Sequence, residues 1–263
     1  TGMTTLVSQL IGAGKPTKAA RVIGQAILLS VGGTLPIAVA GAFLAPQFLE
    51  LMGAEPSVIQ VGTPYLRLGS GALLLIIMPF LLNAALRAVG NAALATGMEV
   101  FQLSLLLILT PIMVLGFGSI PRLETLGAML ALVITRLIAT IIQLSFFVSG
   151  RLVVRLDQAS IRTHLPTMRQ LVSLSTPATL QQLARFGADA AIVRLIASYG
   201  TVTLAGFTIS WLFLRLLETI GQGVGNATFT VVGQNLGAGN GHRALRGTWI
   251  ATAYSWISIA VCI

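Results

Sequence analysis

Gly233-Gln234-Asn235-Leu236-Gly237-Ala238-Gly239-Asn240-Gly241-His242-Arg243-Ala244-Leu245-Arg246 repeats the pattern of Ser8-Gln9-Leu10-Ile11-Gly12-Ala13-Gly14-Lys15-Pro16-Thr17-Lys18-Ala19-Ala20-Arg21 at a spacing of 225 residues (233 minus 8). Gln, Gly-Ala-Gly, Ala and Arg coincide. Self-similarity at one fixed spacing is the mark of a duplicated unit. Each copy closes an apolar run, turns on a glycine that accepts the left-handed conformation at a helix C-terminus, and opens the next run with basic residues. The alternative reading of either copy alone is a generic helix-to-helix turn.

The runs flanking these turns are apolar enough to set the class of protein. Of 263 residues, 55% are hydrophobic and 9% charged, against roughly 25% charged in a soluble domain. Apolar stretches of about 20 residues, the length of a membrane-crossing helix, recur near 22–46, 58–82, 100–120, 125–149, 171–198, 203–235 and from 247 on, with residues 1–11 ending a further helix. Gly32-Gly33, Gly69-Ser70-Gly71 and Gly221-Gln222-Gly223 let helices approach closely. Pro36, Pro64, Pro79, Pro111 and Pro177 fall inside spans, where membrane bundles tolerate them as kinks.

Loop charge orients the chain. Lys15, Lys18 and Arg21, then Arg87, then Arg151, Arg155, Arg162 and Arg169, then Arg243 and Arg246 fall in alternate connections. The intervening connections hold Arg122 beside Glu124, and Glu50 and Glu55 without a basic residue. Ten basic residues on one side against one on the other make the first side cytoplasmic by the positive-inside rule. The formal charge of +9 is therefore read as membrane orientation, and nucleic acid is excluded as a partner. One cysteine, Cys262, and two histidines, His164 and His242, leave no material for a disulfide framework or a metal centre. His164 reads as a solvated loop residue.

The duplicated turns both fall on the cytoplasmic side, so the repeats are parallel rather than inverted. The expected fold is all-α and polytopic. Residues 1–148 form the remainder of an N-terminal lobe, 149–170 a cytoplasmic linker, and 171–263 the start of a C-terminal lobe. A repeat of this length implies a whole protein of about 450 residues, with twelve helices in two six-helix lobes and further residues before Thr1 and after Ile263.

At these residues the chain resembles the multidrug and toxic compound extrusion (MATE) family. The likeness rests on Gln9 to Ala19 and Gln234 to Ala244, on Pro64-Tyr65-Leu66-Arg67, on Leu86-Arg87-Ala88-Val89-Gly90-Asn91, and on Pro177-Ala178. It covers the chain as the end of helix 2 through part of helix 9 of that fold. The resemblance implies an antiporter, not an enzyme, without a cofactor, that exports small organic cations, drugs or toxic compounds in exchange for H⁺ or Na⁺. It also implies a monomer in the bilayer of a bacterial cytoplasmic membrane. A lipid-linked oligosaccharide or polysaccharide flippase of the same superfamily is the alternative. The family's glutamate early in helix 7 aligns near Arg185, where this chain has the opposite charge, with Asp189 one turn away. Its helix 1 aspartate falls before Thr1 and its helix 10 acid after Ile263.

Arg67, Arg136, Arg185, Arg194, Arg215, Asp189 and Glu218 lie within spans. Ionisable groups there are functional candidates by default. Ser175, Gln182 and Asp189 repeat every seven residues with Arg185 one turn from Asp189, and Thr208, Trp211, Arg215, Glu218, Gln222 and Asn226 follow helical steps. Arg136, Thr140 and Gln143 form a shorter stripe. Counting from the Tyr199 to Thr203 turn puts Asp189 about 15 Å and Glu218 about 22 Å deep. The candidate substrate or coupling-ion residues are Asp189, Glu218, Arg185, Arg215, Gln182 and Trp211. The structural alternative pairs Arg185 with Asp189 and Arg215 with Glu218 along each helix. Arg194 reads as a snorkelling residue, and Trp211 as packing or a platform for a cationic drug.

Overall fold

A computed structural model of the chain describes residues 2–51, 56–117, 121–197 and 199–262. Thr1, Glu55 and Ile263, which entered the reading above, lie outside them, as does the Cys262 side chain. The described residues form helices α1 (Gly2–Gly12), α2 (Pro16–Phe43), α3 (Ala45–Leu51), α4 (Pro56–Gly71), α5 (Leu73–Ala88), α6 (Ala92–Leu115), α7 (Glu124–Val148), α8 (Gln158–Ile161), α9 (Leu165–Ala197), α10 (Thr201–Gly237) and α11 (Gly241–Cys262), with no strand among them. Pro36, Pro64, Pro111 and Pro177 sit inside continuous helices, as membrane helices allow.

Among the described residues three single helices, α2, α6 and α7, are long and apolar enough to cross a bilayer. The span expected at 58–82 is broken instead: α4 and α5 meet at a 47° bend. Gly69-Ser70-Gly71 immediately before the break supplies the weak helix-forming residues at which helices bend. Helices α9 and α10, at 33 and 37 residues, have the length to cross but carry the charged stripes that lower their apolar character.

Packing divides the chain into two compact units, one of Thr1–Ala19 with Leu165–Ile263 and one of Ala20–His164. In the second unit α7 packs against α4, α5 and α6. Its fully buried residues are a few large ones, Ile23, Leu82, Leu86 and Phe147, among many alanines such as Ala85, Ala131 and Ala139. Small side chains let membrane helices touch backbone to backbone. A Cβ on Gly127 would fall 2.3 Å from the Met113 carbonyl oxygen. Leu103, Leu107, Ile108 and Leu115 on α6 face outward, as lipid-facing residues do.

The polar segment after α7 is more ordered than a plain linker. Gln25, fully buried on α2, donates through Nε2 to the carbonyls of Ser160 (3.2 Å) and Arg162 (2.8 Å), while its Oε1 accepts from the His164 N–H (2.8 Å). A Cβ on Gly24 would meet the Ser160 carbonyl at 2.2 Å, so only glycine admits this approach. Val154 and Leu156 are buried beneath the segment. Helix α9 then begins at Leu165, within the stretch expected as linker, with Pro166 in its first turn, where the missing N–H costs nothing.

Candidate functional site

The duplicated motif folds twice into one turn. Lys15 N–H donates to the Leu10 carbonyl (2.8 Å) and Gly14 N–H to Ile11 (3.0 Å); Asn240 N–H donates to Asn235 (2.8 Å) and Gly239 N–H to Leu236 (3.1 Å). This is the Schellman closure of a helix, with the glycine left-handed: φ is +69° at Gly14 and +76° at Gly239. The Leu86 to Asn91 stretch makes the same turn, with Gly90 at φ +93°.

Within the first unit, α1 and α10 cross at these ends, and the contact is reciprocal. A Cβ on Gly12 would fall 1.9 Å from the Gln234 carbonyl oxygen, and one on Gly237 would fall 2.0 Å from the Gln9 carbonyl oxygen. Gln9 and Gln234 are equivalent positions of the repeat, as are Gly12 and Gly237. Ser8 and its equivalent Gly233 meet each other on the same contact. The equivalent helix ends therefore lie side by side at one end of the unit, which is the arrangement a parallel duplication requires.

The charged stripes of α9 and α10 meet across the helices. Arg185 forms an ion pair with Glu218, joining α9 to α10. Both expected pairings along single helices give way to this one, because the facing stripes bring the two side chains closer than their own helical neighbours. Gln222 lies one turn from Glu218 on α10, as Asp189 does from Arg185 on α9, and Arg215 is three residues before Glu218. The two arginines and two carboxylates sum to zero charge. Trp211 stacks at 5.2 Å on Phe207, one turn earlier on its own helix, and Gln182 is exposed. Thr208 satisfies its hydroxyl on the Leu204 carbonyl (2.8 Å). A groove of about 440 Å³ between α1, α10 and α11 is lined by Thr5, Gln9, Gly225, Thr228, Thr248 and Ser255, and neither Arg185 nor Glu218 is in its lining.

In the second unit, neither the partner of Arg87 nor the partners of the Arg136 stripe were anticipated. Glu99 on α6 pairs with Arg87 at the end of α5 (2.8 Å), across the Gly90 turn. Its signal was Arg87 twelve residues earlier, beyond a glycine turn. The Arg136 stripe faces α5 and α6, with Arg136 bonded to Gln102 and Gln143 to Asn83 (2.6 Å). Among the described residues no three His, Cys, Asp or Glu side chains gather as a metal site.

These features define a polytopic α-helical membrane protein built on a parallel duplication, with one ion pair joining the facing helices α9 and α10. The MatE family model matches residues 1–114 and 177–263, leaving out the stretch from the end of α6 through α7 to the first third of α9. The chain belongs to the MatE family. It is 23% identical over 92% of its length to the FAD transporter of Shewanella oneidensis, covering 54% of that protein. It is 26% identical over 91% to the "Probable multidrug resistance protein YpnP" of Bacillus subtilis, covering 52%, and 23% identical over 91% to the multidrug export protein MepA of Staphylococcus aureus, covering 52%. The chain thus spans about half the length of the curated relatives it matches. Among solved structures, a MATE crystal structure in the straight conformation superposes at a TM-score of 0.87, with 21% identity, over 97% of this chain and 57% of that one. An outward-facing multidrug resistance MATE transporter of the MOP superfamily gives 0.85, with 21% identity, over 95% and 55%. The fold is that of these transporters.

Proposed function

We propose that this chain is part of a cation-coupled antiporter that exports drugs or other organic cations across a bacterial cytoplasmic membrane by alternating access. The lobes are those set out above, 1–148 and 171–263 about a cytoplasmic linker at 149–170, acting as a monomer in the bilayer. The observation that carries this reading is the Arg185–Glu218 ion pair linking α9 to α10, with Asp189 beside it. Charged groups within membrane helices are retained where they move or bind charge. A proton or Na⁺ on Glu218 removes its hold on Arg185 and loosens the link between the helices. An organic cation competes with Arg185 and with the coupling ion for the same carboxylates, so each occupant excludes the other. The relatives named as a probable multidrug resistance protein, YpnP, and as a multidrug export protein, MepA, support drug export as the direction of transport.

The test is efflux of ethidium and norfloxacin from cells expressing the whole protein. Glu218→Gln and Asp189→Asn are expected to slow efflux by about tenfold or more, because each removes a charge the exchange requires. Normal efflux in both variants would contradict the site. A flippase for lipid-linked oligosaccharide or polysaccharide is favoured by one observation: Arg136, within a second span, has no carboxylate partner among the described residues. Accumulation of lipid-linked saccharide in cells lacking the protein, with drug efflux unchanged, would select it.

A further inference from the structure

Arg136 is the thirteenth of the 25 residues of α7, so it sits about 18 Å from either end of a helix long and apolar enough to cross the membrane. Its Nη1 donates to Gln102 Oε1, and its guanidinium lies 4.6 Å from the centre of the Phe80 ring. Both partners are neutral. The nearest acidic influence is Glu99, one turn before Gln102 on α6, and Glu99 is held by Arg87 at 2.8 Å. Arg87, Glu99 and Arg136 together leave one uncompensated positive charge among the membrane helices.

The hydrogen-bond inventory points the same way. Apart from Thr230 Oγ1, the buried side-chain atoms without a partner among the described residues are Gln102 Nε2, Thr135 Oγ1, Arg136 Nε and Gln143 Oε1, all on α6 and α7 of this unit. Buried polar groups are otherwise nearly always bonded. Two of the four, Arg136 Nε and Gln102 Nε2, are N–H donors. Gln102 is only 4% exposed. Because its Oε1 is fixed on Arg136, its free Nε2, on the same carbon, is beside the guanidinium. One excess positive charge with two adjacent free donors matches a group bearing one negative charge and two acceptor oxygens. A phosphate dianion would overcompensate the charge.

We propose that Arg136 and Gln102 form a carboxylate-binding site within the Ala20–His164 unit. The carboxylate comes from an organic acid in solution or from an acidic side chain elsewhere in the same polypeptide. The site shares no residue with the Arg185–Glu218 pair, so either assignment can fail while the other stands.

Calorimetric titration of the whole protein in lipid nanodiscs with sodium benzoate, and with benzyl alcohol as the neutral isostere, tests it. For a solute carboxylate, benzoate binds saturably and benzyl alcohol does not. Arg136→Gln weakens benzoate about tenfold or more, Arg136→Lys retains part of the binding, and Gln102→Leu weakens it severalfold. For a carboxylate of the polypeptide, the wild type binds no benzoate, Arg136→Gln lowers the melting temperature, and neutralising one acidic residue of a membrane segment in that variant restores it. The proposal is overturned if benzyl alcohol binds as well as benzoate. It is equally overturned if benzoate does not bind and Arg136→Gln melts with the wild type.

Discussion

Gly12 and Gly237 are held by space rather than by backbone angle, since each sits in a regular helix with a carbonyl of the partner helix where a Cβ would go. Replacing either by alanine forces α1 and α10 apart, at an expected cost of about 1–3 kcal/mol. Gly32, in the middle of α2, has nothing within reach of a Cβ, so Gly32→Ala is expected to be neutral or to stabilise by up to about 1 kcal/mol. Thermal melting of the three variants in detergent checks both statements: equal melting temperatures for Gly12→Ala and Gly32→Ala would refute the close approach. The duplicated glycines were legible in the sequence because a Schellman turn and a backbone contact each demand glycine at a fixed place. The Arg185–Glu218 pair was legible only as two separate stripes. Which residues face each other depends on how two helices are rotated, and a helical period leaves that open. Glu99 escaped notice because Arg87 was read as a loop charge, whereas the loop itself is only the few residues around Gly90.

The segment between α7 and α9 is the element whose behaviour differs most from a free linker. Gln25 gives it three hydrogen bonds from a single side chain. In Gln25→Leu, the Ser160 and Arg162 carbonyls and the His164 N–H lose these bonds, a loss of about 1–3 kcal/mol for groups that remain shielded from water. Faster hydrogen exchange at residues 160–164 and faster tryptic cleavage after Arg162 are the expected results; unchanged rates would show that the bonds hold nothing. Sequence reading had no access to this clamp, because a lone glutamine in an apolar run does not announce partners 135 to 139 residues away. Asp157 makes the same element sensitive to acid. Its carboxylate accepts from the Ser160 hydroxyl and N–H (2.8 Å from the N–H), and these bonds hold its pKa below the ordinary aspartate value, with Arg155 adding a smaller pull. A depressed folded-state pKa means that the capping contribution is present above the unfolded value and is lost as the pH falls through the folded one. Exchange at Ser160 should therefore accelerate on acidification below the ordinary aspartate range. In Asp157→Asn that acceleration should disappear; its persistence would assign it to another group.

For the molecule as a whole, periodicity and repeat length, both properties of long stretches, gave the all-helical plan. They did not reveal the 47° bend inside the 58–82 span, because a bend at Gly69-Ser70-Gly71 is a local event that a hydropathy average smooths away. Helices α9 and α10 were read as crossing the membrane, although their polar stripes depress the apolar signal used to find such helices. In the structure the charges of those stripes meet one another, which is how a helix keeps polar groups away from lipid. The central claim is that the two copies of the glycine turn, after α1 and after α10, lie on one side of the membrane. It is tested most directly by single cysteines at Lys15 and at Asn240, both exposed, in the whole protein with Cys262→Ser, labelled in intact cells and in inside-out vesicles by a maleimide that cannot cross the bilayer. Labelling of both positions in inside-out vesicles and of neither in intact cells is the predicted result; labelling of the two positions from opposite sides would contradict it.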